Sequence, residues 1–225
     1  LMAMRDQDGA GLSEAEIRDQ MVTFIVAGHE TVASALTWAL GLLAQHPDVQ
    51  QRLQQEADAV AGRGALGLDD LTDLPYARAV LDETLRLYPP AWLITRKALA
   101  ADELDGCHIP AGALLILSPW LLHRHPDLWP DPEAFRPERF LGGTVDRQAF
   151  IPFGAGPRLC IGRDFSYVEG VVMLTRIAAR FAVEPVEGAR LPDADPLVTV
   201  RPAGGMHLRL VPRARSGADV PNSLA

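Results

Sequence analysis

The stretch from Ser13 to Gln45 contains no proline, and from Met21 to Ala44 it is apolar almost all the way round. Ser13 with Glu16 fits a capping box, in which each side chain satisfies an orphan backbone amide at a helix start. His46-Pro47 ends the run, because the residue before a proline avoids helical geometry. The spacing therefore predicts one helix of about thirty residues. A helix apolar on every side either lies at the centre of a large core or crosses a bilayer. His29 and Glu30 sit near its middle, where charge in lipid is costly, and flanking basic residues are sparse. The expectation is a buried central helix and no transmembrane segment, with other elements wrapped around it.

The elements to do the wrapping follow in order. Pro47 opens a second, amphipathic helix to about Ala61, with Val49, Leu53, Ala57 and Val60 on one face. Gly62, Gly64 and Gly67 then make a loop. A third helix runs from near Pro75 to Pro89-Pro90. Residues 92 to 122 alternate short apolar runs with turns at Asp105-Gly106 and Pro110-Ala111-Gly112, which predicts a small β-sheet. A proline-rich meander from Pro126 to Phe140 precedes a last long helix over about 162 to 181. Short strands are expected near 197 to 201 and 206 to 211. The tail from Pro212 is polar and expected to be loose. The fold class this order implies is mainly α with small β-sheets (α+β), in one unit over residues 1–211 with a tail over 212–225.

With 225 residues, 48% of them hydrophobic, the chain can bury a real core. Its net charge of −8 argues against a nucleic-acid partner. Two cysteines, Cys107 and Cys160, make no disulfide framework and favour a reducing compartment; no zinc-binding spacing occurs. Cys107 falls in the predicted hairpin and takes no role. No signal peptide is recognisable. The chain begins at Leu1 and enters a strong helix quickly, so it reads as a piece of a longer one.

Cys160 carries the densest chemical context. Phe153-Gly154-Ala155-Gly156-Pro157-Arg158-Leu159-Cys160-Ile161-Gly162 surrounds one thiol with glycines, an aromatic and a cation. Glycines let backbone approach a flat ligand closely and adopt positive φ. The apolar run from Gly162 to Phe181 predicts a helix, so Cys160 would sit just before its N-terminus, where the dipole favours thiolate. A lone cysteine is more commonly a small buried hydrophobe, but that role does not need this loop. In the first helix, Ala27-Gly28-His29-Glu30-Thr31 places a glycine at a cost of roughly 1 kcal/mol against alanine. One reading is a packing glycine, with Thr31 bonding back to its own helix. The other is a groove at Gly28, with Glu30 and Thr31 supplying a carboxylate and a hydroxyl. Glu83 and Arg86, three apart, share a helix face, and Pro137-Glu138-Arg139-Phe140 follows the meander. Arg96, which starts a strand after the Pro89-Pro90 break, can be read as an ordinary surface arginine.

Taken in order, A-G-x-E-T, E-x-x-R, P-E-R-F and F-x-x-G-x-R-x-C-x-G resemble the cytochrome P-450 family, over about residues 10 to 211 and matching about the C-terminal half of a member. The resemblance implies haem b, with Cys160 as the thiolate axial ligand of the iron. It implies cofactor contacts from Phe153, Gly154, Arg158, Gly162, Arg96 and Ala27, the two arginines on haem propionates. It implies catalytic roles for Gly28, Glu30 and Thr31 in binding O2 and relaying protons, and a structural network of Glu83, Arg86 and Arg139. Trp92, Leu93, Ile94, Leu197 and Val198 resemble substrate-facing segments, although such residues are commonly plain core. The implied activity is a monooxygenase acting on a small hydrophobic organic substrate. Electrons would come from NAD(P)H through a ferredoxin or flavoprotein reductase, an acidic donor docking near Arg158 and Arg163, in a cytoplasmic, bacterial-like setting. A peroxide-using or isomerising enzyme on the same fold, and a truncated, non-catalytic haem-fold fragment, remain alternatives; the Glu30–Thr31 pair speaks against the first.

Overall fold

The computed structural model describes residues 5, 9–63, 66, 68–143, 145–146 and 148–214. The first helix, α1, runs Glu14–Gln45. Ser13 Oγ accepts from the Glu16 amide at 3.3 Å while Glu16 Oε2 accepts from the Ser13 amide at 2.8 Å, closing the capping box. Helix α2 (Pro47–Val60) follows after one residue and buries Val49, Leu53, Ala57 and Val60, the predicted face. Prolines at the first turns of α2 and of α3 (Pro75–Leu87) remove a backbone donor where no acceptor exists, so they start helices cheaply. Between these helices the chain makes 3₁₀ turns at Ala61–Arg63 and Leu68–Asp73. Of the predicted glycine loop, Gly64 and Gly67 lie outside the described residues.

One expectation is corrected here. The helix buried on nearly every side is α3, with eleven of its thirteen residues buried. On α1 every buried residue lies between Val32 and Ala44. Met21, Val22, Phe24, Ile25 and Val26 are 44–65% exposed. The packed elements cover only the C-terminal half of α1; its apolar N-terminal half borders open cavities. Periodicity cannot show this difference, because both halves have the same apolar pattern. Leu36 and Leu43 of α1, Leu53 of α2, and Val80 and Leu85 of α3 meet Val171 and Leu174 of the last helix, α5 (Arg163–Arg180), in one core. Gly170 lets α5 approach closely: a Cβ there would stand 2.7 Å from Leu81 Cδ2.

Among the described residues the β structure is four separate two-stranded antiparallel sheets. Strand β1 (Ile94–Lys97) pairs with β4 (Leu114–Leu117), Arg96 opposite Leu115. Between them β2 (Asp102–Leu104) and β3 (Cys107–Ile109) form a hairpin. Its turn, Asp105-Gly106, has both φ values positive, as a tight hairpin turn of this twist requires. Residues 119–122, expected in the sheet, instead form the short helix α4 (Pro119–Leu122). Ser118 caps it, with Oγ accepting from the Leu121 amide. After α5, β5 (Phe181–Pro185) pairs with β8 (Leu208–Pro212), and β6 (Ala194–Pro196) with β7 (Val200–Pro202). Residues 197–199, expected to begin a strand, connect β6 to β7. The predicted loose tail falls, from residue 215, outside the described residues. No helix among the described residues is long and apolar enough to cross a membrane.

Candidate active site

Residues 152–162 hold the cysteine in a turn held mainly by backbone. Gly154 and Gly156 have φ of +75° and +70°, a conformation that strains any other residue. The Cys160 amide donates to Phe153 O at 3.0 Å and the Leu159 amide to Gly156 O at 3.0 Å. Phe153 packs its ring on Tyr167 of α5, centroids 5.1 Å apart. Tyr167 in turn donates to buried Asp82 of α3 at 2.7 Å. Gly162 precedes α5, and a Cβ on it would lie 3.8 Å from Cys160 Sγ. Cys160 is exposed and free, as is Cys107.

That turn forms one wall of a cavity of about 880 Å³. The size suits a small-molecule or cofactor site. Phe153, Gly154, Arg158, Cys160 and Gly162 line it from the turn. Ala27, Gly28 and Thr31 line it from α1, and Ile94, Arg96 and Lys97 from β1. A Cβ on Gly28 would meet nothing within 4 Å, so helix packing does not require this glycine. Arg96 donates to the Thr95 carbonyl at 2.9 Å. Among the described residues no carboxylate pairs with Arg96, Lys97 or Arg158, whereas most arginines of the chain have one. A largely apolar cavity lined by a thiol and by three cations without carboxylate partners among the described residues fits an apolar ligand that carries anionic groups and a thiophilic metal. No cluster of His, Cys, Asp and Glu able to hold a bare metal ion occurs among the described residues.

Thr31 Oγ1 donates to Ala27 O at 2.7 Å, bonding back to its own helix. Glu30 does not line the main cavity but borders an adjoining one of about 510 Å³, shared with Ala27 and Thr31. Its Oε1 accepts from Thr199 Oγ1 at 2.8 Å, from Arg201 Nε at 3.2 Å and from Arg201 Nη2. These bonds from Arg201 and Thr199 hold the carboxyl below its usual range. The 197–200 segment is fixed by its own ties: Ser34 Oγ and Trp38 Nε1 of α1 both donate to Val200 O. Of the substrate-facing candidates, Ile94 lines the main cavity and Val198 the second. Trp92, Leu93 and Leu197 line neither; Trp92 Nε1 donates to Leu197 O at 2.9 Å and so joins the two segments.

Below the cysteine turn, Glu83 and Arg86 are fully buried and doubly bonded, Nε to Oε2 at 2.7 Å and Nη2 to Oε1 at 2.8 Å. Arg139 Nε reaches Glu83 Oε1 at 3.2 Å, so the three residues form one network. The remaining donors of Arg86 go to the carbonyls of His123, Pro132 and Ala134. This network pins the meander to α3. Arg163, expected at a docking face, is engaged with Asp164 at 2.8 Å. Reading the sequence alone missed Lys97, Thr199 and Arg201. Lys97 was available as the neighbour of Arg96; nothing in the sequence joined Arg201 to Glu30, 171 residues away.

The family model of cytochrome P-450 matches residues 1–209. The chain belongs to the cytochrome P-450 family. It is 43% identical over 194 residues to cyclooctat-9-en-7-ol 5-monooxygenase of Streptomyces melanosporofaciens, covering 85% of this chain and 42% of that one. It is 40% identical to cyclooctatin synthase of the same organism (95% and 46%). It is also 39% identical to pentalenene oxygenase of Streptomyces avermitilis (95% and 48%). The chain thus spans about half the length of the curated relatives it matches. Membership of the cytochrome P-450 family implies haem as the cofactor, with an α+β fold.

Proposed function

We propose that this chain carries the haem-binding and proton-delivering part of a monooxygenase that inserts one atom of O2 into an apolar organic molecule. The observation that carries this reading is the shared cavity, lined by Cys160, by Gly28 and Thr31, and by Arg96, Lys97 and Arg158, which have no carboxylate partner among the described residues. Cys160 Sγ would hold the iron as thiolate, and Phe153, Gly154, Gly162 and Ala27 would bound the ring. The guanidiniums of Arg96 and Arg158 would take its two carboxylates in forked bonds. Bound haem supplies the electron-accepting and oxygen-activating chemistry.

The chain's own residues handle space and protons. Gly28 leaves room in the cavity, where O2 would bind. Thr31 gives its hydrogen to Ala27 and so turns lone pairs toward an incoming donor such as water. Glu30 stands one cavity away, its Oε1 held by Thr199 and Arg201, leaving Oε2 to take up and release protons from solvent. Electrons come from NAD(P)H through a ferredoxin or flavoprotein reductase. The Streptomyces relatives named for cyclooctat-9-en-7-ol and pentalenene point to an unsaturated hydrocarbon or its alcohol as the substrate class. The test is the carbon monoxide difference spectrum of the reduced, haem-loaded protein. A thiolate-type band is expected, and it should vanish in Cys160→Ala. An unchanged band in that variant would refute the assignment.

A further inference from the structure

His123 is fully buried and has no part in the cavity. It follows α4, and its amide donates to Pro119 O at 2.8 Å. Its carbonyl accepts from Arg86 Nη1 at 2.9 Å. Its ring lies beside Phe150, centroids 5.2 Å apart. On the far side, Nε2 lies 2.9 Å from the Ile151 amide nitrogen. An amide can only donate, so Nε2 is the acceptor and the ring hydrogen is on Nδ1. Nδ1 is buried and makes no well-formed hydrogen bond among the described residues, although the Leu85 and Arg86 carbonyls interact with the ring. An apolar side chain would remove that poorly placed donor but leave the Ile151 amide without its acceptor. The ring is therefore retained for its acceptor.

Ile151 begins the approach to the cysteine turn. Its carbonyl accepts from the Gly154 amide at 3.0 Å, and Phe153, two residues on, takes the Cys160 amide. We propose that His123 is a positioning residue for the Cys160 loop: its unprotonated Nε2 ties the Ile151 backbone, and through it Phe153 and Cys160, to the buried Glu83–Arg86 pair. The proposal rests on Cys160 being the iron ligand, and it adds the part that aims the ligand. Burial, with the guanidiniums of Arg86 and Arg124 nearby, pushes the imidazole's pKa down to about 3. Glu83 and Glu133 face the group only through those arginines, as their partners. The tie therefore stays intact through mildly acidic conditions.

Three variants separate acceptor from shape. In His123→Gln the side-chain oxygen can reach the Nε2 position; in His123→Asn it falls short; His123→Leu has no acceptor. Amide hydrogen exchange at Ile151, in haem-free protein, should stay slow in wild type and Gln. It should quicken by roughly tenfold or more in Asn and Leu. In haem-loaded protein, Asn and Leu should shift the reduced carbon monoxide spectrum toward a thiol-type band, while Gln keeps the thiolate type. Should Leu fail to fold, the Gln–Asn pair decides. Ile151 equally protected in Asn and Gln would overturn the tie. The exchange pattern without a thiolate-type band in any form would uphold the tie and remove the iron-ligand reading.

Discussion

Glu83→Ala is the sharpest test of how the proximal scaffold is held. Glu83 Oε2 takes Arg86 Nε, while Oε1 takes Arg86 Nη2, the Arg136 amide at 2.8 Å and Arg139 Nε. Truncation strands a fully buried guanidinium. Arg86 keeps its three carbonyl partners but loses the one carboxylate that pairs with it among the described residues. Removing one member of a buried ion pair costs about 3–5 kcal/mol. In a chain of this size each kcal/mol moves the melting temperature by about 2–4 °C, so Tm should drop by roughly 6–20 °C. Glu184→Ala is the control, because its bond to Arg209 is exposed (side chains 43% and 68%). It should cost under about 1 kcal/mol. Urea midpoints at constant slope, read beside thermal melts, measure both. The double variant Glu83→Ala/Arg86→Met should recover only part of the loss, since it leaves the carbonyls of His123, Pro132 and Ala134 without a donor. A Glu83→Ala cost within about 1 kcal/mol of the control would refute the view that buried charge organises this side.

Gly28→Ala should raise stability by up to about 1 kcal/mol, since alanine is the better helix former and its Cβ meets nothing; under the proposed function it should also weaken carbon monoxide binding, and unchanged binding would count against the groove. Stability should fall as pH drops from 6.5 toward 3, by up to about 5 kcal/mol, because the unfolded chain takes up a proton that buried His123 refuses. An acid titration of His123→Gln should lack that limb, leaving only the contribution of other groups. Thr31→Ala should divert reducing equivalents to hydrogen peroxide, measured against NAD(P)H consumed; full coupling would remove Thr31 from proton delivery.

Helix starts were legible because their chemistry is local. The Ser13–Glu16 box and the prolines at positions 47 and 75 act within one turn of themselves. The Asp105-Gly106 turn was legible for the same reason. The exposed half of α1 was not, because burial depends on what lies opposite and its sequence pattern is the same in both halves. Pro119-Trp120-Leu121-Leu122 is too short and apolar for periodicity to separate helix from strand. Strand β5 continues from α5 without a breaker, so its pairing with β8 left no signal at the boundary. At the site, motif residues close in sequence were readable. Thr199 and Arg201 were not, since only the fold brings them 169 and 171 residues back to Glu30.

The cysteine turn itself poses a physical problem that these ties answer. Residues 155–161 are all exposed, Ile161 to 85%. Packing against the described residues of this chain then does little to fix where Sγ points. A turn whose exposed residues contribute little packing must be held from its ends and by its backbone. One end is held at Ile151 by His123 and at Phe153 by Tyr167; the other is Gly162, where α5 begins. Between them, two positive-φ glycines and the Cys160–Phe153 bond leave few conformations. Both anchors lead to α3, His123 through Arg86 and Tyr167 through Asp82. That is why the most buried helix of the chain carries charged groups at all: Asp82, Glu83 and Arg86 connect an exposed ligand turn to the core in a way that apolar side chains could not, because what they hold is backbone carbonyls, a phenol and a guanidinium.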